Sequence, residues 1–593
     1  MLKKIIGIAS ISFLVIILNS SFFNLPPFGK FLDPFNGYCA LINSDIFSNN
    51  ILEFSELIEN VEVIYDSLRV PHIFAKNEHD LFFIQGYITA FDRLWQMEFQ
   101  THAAAGRLSE IFGSKALGFD RFQRRIGMVY GAENTLDEVK NDSTTYANLI
   151  AYTNGVNTYI NTLNENNYPL EYKILDYAPE EWTPLKTSLL LKKMAWTLTG
   201  RSTDLAYTIM LNELGEDILD ELFPIFPPTF EPIIPRGTRF DFKNGVTPPK
   251  KQYNSSADIH FNLEMFPEKN MGSNNWAIHG SRTDNGHPLL SNDPHLGLNL
   301  PSIWYMTHLN CPTINVMGVT IPGTPGIIIG FNDSISWGVT NGNDDVMDWY
   351  DISFKNDNRN EYLYDNNWLP IVKKIEQIHI KNEGVYIDTV SYTHHGPIVW
   401  DYNGQTPPIG SNNSKNNMVQ TSSNRSLKWL AHDPSNELKS FFLINKSANY
   451  NDFINALNNY KCPGQNFIFA DKKGDIGIIH SGGQPTKWFK QGIYIQDGSN
   501  PAYEWGKPIS HKHKPQIKNP RSGYLSSANQ HPTDETYPYF LSGDFWMSYR
   551  AIEINRNLDT LYKATINDLK NIQLNNKSRL AQTVLPSLIN ILS

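Results

Sequence analysis

The pentapeptide Gly272-Ser273-Asn274-Asn275-Trp276 constrains this chain more than any other stretch. It follows a polar segment and begins an alternating apolar run. Breakage of the Gly272–Ser273 bond would make Ser273 a new N-terminus that carries a hydroxyl and an α-amine. The hydroxyl is a nucleophile, and the amine, which titrates at about pH 8, can accept its proton without a histidine. Most Gly-Ser pairs only form turns, so the surrounding sequence has to decide.

The sequence after Ser273 has the pattern of paired strands. Asn285-Gly286, a dipeptide that closes β-hairpins, precedes the segment 288–296, which includes Asn292-Asp293-Pro294-His295. With these motifs the chain resembles the penicillin acylase family of N-terminal nucleophile hydrolases, which includes penicillin, cephalosporin and acyl-homoserine-lactone acylases. The resemblance covers about residues 61–558, with the motifs in the family order.

The resemblance implies an α+β fold, namely the αββα sandwich of N-terminal nucleophile hydrolases with a mostly helical first-subunit region. Hydrophobic periodicity alone predicts a helix over Asp80–Glu110, and β-rich runs with a hairpin at residues 467–479 predict a layered body. The expected organisation is a signal peptide or N-terminal anchor at 1–22, a linker at 23–50, a largely helical first-subunit region at 51–235, a spacer peptide at 236–272 and a catalytic second-subunit region at 273–593.

Composition excludes several classes of protein. The 593 residues are 41% hydrophobic and 19% charged, which is typical of a large globular protein with more than one domain. A net charge of -10 without a basic stripe argues against a nucleic-acid partner. Three cysteines allow at most one disulfide within the chain, so the fold does not depend on a disulfide framework.

The N-terminus indicates export. Lys3-Lys4 precede an apolar run from Ile5 to Leu18, which has the form of a secretory signal. The run is shorter than the roughly 20 residues of a comfortable membrane span, but no clean small-x-small cleavage site follows it. We therefore expect a protein that is either periplasmic or membrane-anchored and facing the periplasm.

The resemblance also implies roles for single residues. Ser273 would attack an amide carbonyl, form an acyl-enzyme and use its own α-amine as general base and then general acid. The Asn341 backbone N–H and the Asn529 side-chain amide would donate to the oxyanion. His295 would place its main chain near the new amine, and Arg550 would orient the amine network. Without the family motifs, each of these residues is more simply explained as an ordinary turn or surface residue.

The acidic segment 344–348 resembles the calcium-binding segment of the family. Asp345 and Asp348 would supply carboxylates and Met347 its carbonyl, with Asp204 as a distant fourth ligand. Such hard oxygen ligands suit Ca²⁺, and the resemblance implies one structural ion per heterodimer. An acidic turn without an ion explains the same residues.

The substrate pocket follows from the resemblance in the same way. Leu296 and Ile329 fall where the family places apolar side chains around the acyl group, and both replace aromatic residues of phenylacetyl-preferring members. Met194 and Trp196 would line the pocket from the first subunit. Taken alone, each of these four residues is more simply explained by core packing.

The run Thr393-His394-His395-Gly396 suggests a metal, but no carboxylate or cysteine partner is spaced for one in the sequence. We therefore predict no metal site there.

The predicted function is a self-processing amidohydrolase whose two cleaved subunits remain together as a heterodimer and hydrolyse a small-molecule acyl amide. The first alternative is an acyl-homoserine-lactone acylase of the same family. The second is an inactive, uncleaved homologue with a binding role. Because family members usually continue well beyond the position of Ser593, a missing C-terminal polypeptide is a further expected partner.

Overall fold

A computed structural model describes residues 2–20, 27–33, 37–38, 51–201, 203–227, 229–249, 253–255, 272–399, 424–545 and 547–592. Most of the expected linker at 23–50 and much of the expected spacer at 236–272 lie outside these residues.

The described residues form sixteen α-helices and twenty β-strands, numbered in chain order. The helices are α1 (Leu2–Asn19), α2 (Gly29–Leu32), α3 (Glu78–Ala105), α4 (Ser109–Phe112), α5 (Leu117–Arg125), α6 (Met128–Lys140), α7 (Ser143–Asn161), α8 (Leu170–Leu175), α9 (Pro184–Thr199), α10 (Thr203–Leu214), α11 (Glu216–Leu222), α12 (Glu437–Asn445), α13 (Tyr450–Ala456), α14 (Tyr549–Thr560), α15 (Ile566–Gln573) and α16 (Arg579–Leu592). The strands are β1 (Glu62–Tyr65), β2 (Pro71–Phe74), β3 (Gly272–Ile278), β4 (Leu289–His295), β5 (Tyr305–Cys311), β6 (Ile314–Thr320), β7 (Ile329–Asn332), β8 (Ile335–Asn341), β9 (Met347–Asp351), β10 (Glu361–Tyr364), β11 (Asn367–Pro370), β12 (Val372–Ile380), β13 (Gly384–Thr393), β14 (Gly396–Pro397), β15 (Arg425–Trp429), β16 (Gln465–Asp471), β17 (Ile476–Ser481), β18 (Gln496–Asp497), β19 (Gln516–Lys518) and β20 (Tyr524–Ser527).

Two of the sheets pack face to face between helices. The larger has the strand order β1-β2-β5-β6-β7-β8-β16-β17-β19, and the smaller has the order β20-β3-β4. Ala277 of β3 packs against Ile468 and Ile478 of the large sheet, whereas its neighbours Trp276 and Ile278 pack against α14 and α15. Successive side chains of a strand point to opposite faces of the sheet, so this alternation buries β3 on both of its faces. With α3 and α7 against the large sheet, the layers run α, β, β, α, so the expected fold is confirmed.

The predicted helix at Asp80–Glu110 is confirmed as α3, which begins and ends a little earlier. The Asn77 side chain caps its first turn by accepting a hydrogen bond from the Asp80 amide. The helix ends at Gly106, whose φ of 64° is left-handed, a conformation that glycine adopts without strain. Helix α7 packs closely against α3, because a Cβ on Gly155 would lie 1.8 Å from the Phe83 carbonyl oxygen.

The predicted hairpin after Ser273 is confirmed as β3 and β4, which pair antiparallel with Ser273 opposite Pro294. Strand β20 pairs with the other edge of β3. Ser273 therefore lies in the central strand of the small sheet, between two segments that are distant in the sequence.

Helix α1 is long and apolar enough to cross a membrane, with a mean hydropathy of 1.9 and none of its residues buried. A signal sequence near the N-terminus has the same properties, so the helix is compatible with either expectation for this segment.

Candidate active site

Ser273 is buried near the start of β3 and is held by contacts on each of its groups. Its backbone N–H donates to Asn529 Oδ1 over 2.7 Å in the uncut chain. The preceding Gly272 leaves no room for a side chain, because a Cβ there would lie 3.0 Å from Arg550 Nη2 and 3.2 Å from Asn529 Oδ1. The small residue before Ser273 thus lets the arginine and the amide approach the backbone closely.

Two N–H donors point at the Ser273 hydroxyl. The Asn341 backbone N–H and Asn529 Nδ2 each lie 3.2 Å from Ser273 Oγ. Asn341 ends β8, and its side chain donates to the Leu198 carbonyl over 3.0 Å. Asn529 follows β20 with a left-handed φ of 64°, a conformation that asparagine tolerates better than most residues. Its Nδ2 also donates to the Asn341 carbonyl over 2.9 Å, which joins the two donors into one unit.

Arg550, from α14, organises the other side of Ser273. Its Nη1 donates to the Ser273 carbonyl over 2.9 Å and to Asn274 Oδ1 over 2.7 Å, and its Nη2 donates to Asn529 Oδ1 over 2.7 Å. Burial lowers the pKa of Arg550 to about 10, against the opposing effect of Asp293. The guanidinium therefore stays charged at neutral pH and places a positive charge beside the Ser273 backbone.

His295 lies at the end of β4, directly opposite Gly272. Its main chain is therefore next to the bond that precedes Ser273. Its ring is 40% exposed and faces Asp293, with His295 Nε2 2.9 Å from Asp293 Oδ2. His295 Nε2 also lies 3.4 Å from Asn274 Nδ2, so the backbone of His295 lies beside Gly272 and its ring lies at the neighbouring Asn274.

A cavity of about 70 Å³ opens beside Ser273. Met194 and Leu296 line it, whereas Trp196 packs in a different core cluster and Ile329 is replaced in the lining by its neighbour Ile328. Helical spacing explains the first difference, because side chains two residues apart point about 200° apart. Adjacent residues of an extended chain point to opposite faces, which explains the second.

The cavity lining includes residues that the sequence did not single out. They are Leu191, Leu198, Trp304, Ile321, Ile328, Val339, Glu437, Phe441, Tyr460, Cys462, Pro463 and Gln465. The helical spacing of Leu191, Met194 and Leu198 on α9, and of Glu437 and Phe441 on α12, could have shown that each group shares a helix face. The others come from strands and loops, and no local pattern specifies how these segments and the two helices lie relative to one another.

Two of the expected calcium ligands, Asp345 and Asp348, contact Lys487, and the charges of both act on the third, Asp204. Lys487 Nζ is 3.0 Å from Asp348 Oδ1 and 3.5 Å from Asp345 Oδ2, and only 2% of the lysine side chain is exposed. Burial alone would lower the pKa of Lys487, but Asp345 and Asp348 outweigh it and raise the pKa. Met347 lies in β9 between the two carboxylates in the sequence.

The donors around these carboxylates do not fit a calcium ion. Asp348 Oδ2 accepts from Trp505 Nε1 over 2.6 Å, and Asp345 Oδ2 accepts from the Ser542 hydroxyl over 2.6 Å. Asp204 Oδ2 accepts from the Trp349 amide over 3.0 Å. Calcium takes six to eight oxygen ligands, whereas here the Lys487 ammonium lies against two of the expected carboxylates and N–H and O–H donors bind their oxygens.

Burial governs the charge of Asp204, the third expected carboxylate ligand. It raises the pKa of Asp204 well above its usual value, and the charges of Asp345 and Asp348 add to the effect. Asp204 is therefore harder to ionise than an exposed aspartate. Lys487, which no motif marked, is the cation that this cluster holds.

Comparison with known proteins agrees with this architecture. The family model for penicillin amidase matches residues 60–593. Acyl-homoserine lactone acylase QuiP of Pseudomonas aeruginosa is 29% identical over 513 residues, which are 84% of this chain and 58% of the relative. Penicillin acylase 2 proenzyme of a Pseudomonas species is 25% identical over 512 residues, covering 84% of this chain and 62% of the relative. Penicillin G acylase of Escherichia coli is 23% identical over 548 residues, with the same two shares.

The chain thus spans about three fifths of the length of the curated relatives it matches. The family model, in contrast, matches nearly the whole chain and includes Ser273 and the segments that surround it. The chain belongs to the penicillin amidase family.

Proposed function

We propose that this protein is a self-processing acylase that hydrolyses a linear amide through an acyl-enzyme on Ser273. The observation that carries the proposal is the pair of N–H donors, from Asn341 and Asn529, each 3.2 Å from Ser273 Oγ. The charge of the tetrahedral intermediate develops on the oxygen of the attacked carbonyl, and two donors that converge beside the nucleophilic oxygen can turn to that neighbouring oxygen once the substrate is bound.

The first reaction is cleavage of the chain itself. Ser273 Oγ attacks the Gly272 carbonyl carbon, so that the peptide bond is exchanged for an ester. Water then hydrolyses the ester and leaves a Gly272 carboxylate and a Ser273 α-amine. Because the Ser273 nitrogen is already 2.7 Å from Asn529 Oδ1, the new amine would keep this partner. The two products would remain together as a heterodimer, since the second subunit's β3 is buried between sheets and helices.

The second reaction acts on the substrate. The α-amine accepts the hydroxyl proton as Ser273 Oγ attacks the amide carbon, and it later passes the proton to the leaving amine. The Arg550 guanidinium is held beside Ser273 by hydrogen bonds to the Ser273 carbonyl and to Asn529. Its positive charge disfavours a second positive charge on the α-amine. The like charge lowers the amine's pKa, which leaves it unprotonated and ready to act as a base at neutral pH.

The cavity favours an aliphatic acyl group. Aliphatic side chains line much of it, together with three aromatic rings: Leu191, Met194, Leu198, Leu296 and Val339, and Trp304, Phe441 and Tyr460. Its volume of about 70 Å³ is less than half that of an engineered cavity, roughly 150 Å³, that binds benzene. A slender alkyl chain therefore fits more readily than a phenylacetyl group. Acyl-homoserine lactones carry such chains, and several relatives are named as acylases of these compounds.

The proposal also covers the cellular location of the protein and the expected calcium ion. The apolar helix α1 supports export, with the body in the periplasm or anchored facing it. A structural calcium ion remains a prediction, and the contacts of Lys487 favour a protein without one.

The decisive experiment is the intact mass of the purified full chain beside a Ser273→Ala variant, with the exposed Ser281→Ala as the matched control. We expect two fragments from the wild type and the control, the second beginning at Ser273, and one uncut chain from Ser273→Ala. The processed protein is then tested on acyl-homoserine lactones of several chain lengths and on a phenylacetyl amide. One uncut, inactive wild-type chain would overturn the proposal and favour the binding role.

A further inference from the structure

A second cluster of chemically active side chains lies apart from Ser273, at the turn between β13 and β14. His394 and His395 form this turn, and Glu504 approaches it from a segment 110 residues away from His394. Glu504 Oε1 lies 2.9 Å from His394 Nε2 and 3.2 Å from His395 Nδ1. The three ligand atoms lie within 4.8 Å of one another. The fold thus supplies the carboxylate that the sequence around the two histidines lacks.

The hydrogen bonding of His395 leaves a bare lone pair inside this cluster. Its Nε2 lies 3.1 Å from the Gly498 carbonyl oxygen. A carbonyl only accepts hydrogen bonds, so Nε2 carries the hydrogen and Nδ1 carries the lone pair. Nδ1 is buried and makes no hydrogen bond, and the side chain of His395 is only 1% exposed. This lone pair faces the Glu504 carboxylate, a second acceptor, and the contact is unfavourable unless a cation lies between them.

We propose that His394 Nε2, His395 Nδ1 and Glu504 Oε1 bind a divalent transition-metal ion of the zinc class. Ligands at the usual 2.0–2.2 Å around a tetrahedral zinc ion lie about 3.4 Å from each other. Glu504 Oε1 lies 2.9 Å from His394 Nε2 and 3.2 Å from His395 Nδ1, and both distances are a few tenths of an ångström shorter than this ligand-to-ligand separation. Zinc favours histidine nitrogen and carboxylate oxygen, and the partial exposure of His394 and Glu504 leaves a fourth position open to water.

The groups behind the ligands are those that a metal site requires. Metal-bound histidines almost always direct their other nitrogen to a carbonyl, carboxylate or similar partner. His395 uses the Gly498 carbonyl in this way, and His394 Nδ1 lies 2.9 Å from the Tyr362 hydroxyl. Lys428 Nζ lies 2.6 Å from the other oxygen of Glu504, Oε2. It orients the carboxylate and leaves Oε1 for the ion, although its charge weakens the binding.

The ion would have a structural role. It would tie the β13–β14 turn to the segment around Glu504, and no step at Ser273 uses it. The inference therefore stands independently of the proposed acylase function.

The test is a titration of the full chain with Co²⁺, after removal of bound metal with a chelator and dialysis. A Co²⁺ ion in a tetrahedral nitrogen and oxygen site gives a visible absorption band, and Zn²⁺ should displace it. We expect one Co²⁺ per chain and a rise in the melting temperature with Zn²⁺. Glu504→Gln and His395→Gln should each weaken binding at least tenfold, and His379→Gln, on an exposed position of β12, should leave it unchanged.

Lys428→Met keeps all three ligands and removes the competing charge, so it should tighten Co²⁺ binding several-fold. Circular dichroism establishes that each variant is folded. If the wild type binds no stoichiometric Co²⁺, or if the ligand variants bind it as well as the control does, the site does not exist. This outcome is separate from any result on Ser273, because no hydrolysis is measured.

Discussion

The Ser273 site and the acidic cluster around Lys487 are both buried and both assembled from distant segments, but they handle charge in opposite ways. At Ser273, neutral N–H groups of Asn341 and Asn529 point at an uncharged hydroxyl. At Lys487, an ammonium already lies against the carboxylates of Asp345 and Asp348. The first arrangement has donors in place for a charge that has yet to form, as catalysis requires. The second has its charges paired at rest, which suits a structural role.

Helix α9 connects the two regions. Leu191, Met194 and Leu198 lie on one of its faces, toward the cavity beside Ser273. Trp196 lies on another face, in the core cluster that contains Met347 of β9. A change on one face of this helix can therefore be compared with a change on the other.

The largest expected effect is that of Lys487→Met. Removal of the ammonium leaves the buried carboxylate of Asp348 and the partly buried one of Asp345 without a counter-ion, which typically costs about 3–5 kcal/mol. We expect the free energy of unfolding to fall by this amount, as measured by urea denaturation. Because the vacated space is lined by oxygen atoms, added Ca²⁺ should restore part of the stability of the variant. In the wild type, neither Ca²⁺ nor a chelator should shift the melting temperature.

Lys490→Met is the matched control for this substitution. Lys490 pairs with Glu216 and Asp220, whose side chains are about half exposed, and surface pairs contribute at most about 1 kcal/mol. A large loss of stability in both lysine variants would mean that lysine packing, and not the buried charge, is measured. A wild type that Ca²⁺ stabilises would restore the calcium prediction and remove the contrast between the two regions.

The next effect is at the Ser273 site. Asn529→Gly keeps the left-handed backbone that Asn529 adopts but removes its N–H donor. Loss of one such donor typically lowers kcat about 10²–10³-fold, and the Asn341 backbone donor remains. We expect this loss in single-turnover hydrolysis by processed protein, with the melting temperature changed by only a few degrees. A decrease in kcat of less than fivefold would show that Asn529 acts only by holding the backbone of Ser273.

These two sites also show how far the sequence predicts the structure. The family resemblance pointed to Ser273, Asn341, Asn529 and Arg550, and the fold brings all four together. The layered fold and the β3–β4 hairpin follow from local patterns, because strand and helix periodicities are recorded in consecutive residues.

Partners brought from distant segments could not be predicted in this way. Lys487 is 139 residues from Asp348, and Glu504 is 110 residues from His394. Nothing in the sequence near Lys487 or Glu504 indicates which distant residues each of them contacts. For the same reason Trp196 could be recognised as apolar, but the face of α9 that meets the cavity depends on packing.

A smaller effect comes from Glu98, a buried carboxylate that lacks the direct ammonium contact of Asp348. Its Oε2 accepts from the Tyr172 hydroxyl over 3.0 Å and from the Glu180 amide over 3.1 Å. Burial raises its pKa to about 7. Between about pH 4.3, where an unfolded glutamate titrates, and pH 7, the folded protein keeps a proton that the unfolded chain has lost. The stability contributed by this proton is complete below that range and is lost as the pH rises through 7.

The raised pKa corresponds to a decrease in the free energy of unfolding on the order of 3 kcal/mol as the pH rises across this range. Glu98→Gln should remove the pH dependence, so that the variant matches the wild type at pH 4.5 more closely than at pH 8, where it should be the more stable protein. Urea denaturation at several pH values measures this. Identical pH profiles for the two proteins would mean that Glu98 is ionised in the folded state, and that burial alone, without an ammonium, does not decide the charge of a carboxylate here.

The smallest effect separates the two faces of α9. Met194→Ala enlarges the cavity beside Ser273 and should raise kcat/KM for long acyl chains relative to short ones by about tenfold, since each added methylene in an apolar pocket is worth roughly 1–3 kcal/mol. Trp196→Ala removes a core side chain and should cost about 3–5 kcal/mol of stability without changing that ratio. If Trp196→Ala shifts the chain-length preference as much as Met194→Ala does, the two faces of α9 are coupled. The Ser273 site and the Lys487 cluster would then be coupled, because a change in the core cluster that contains Met347 would alter the cavity beside Ser273 through α9.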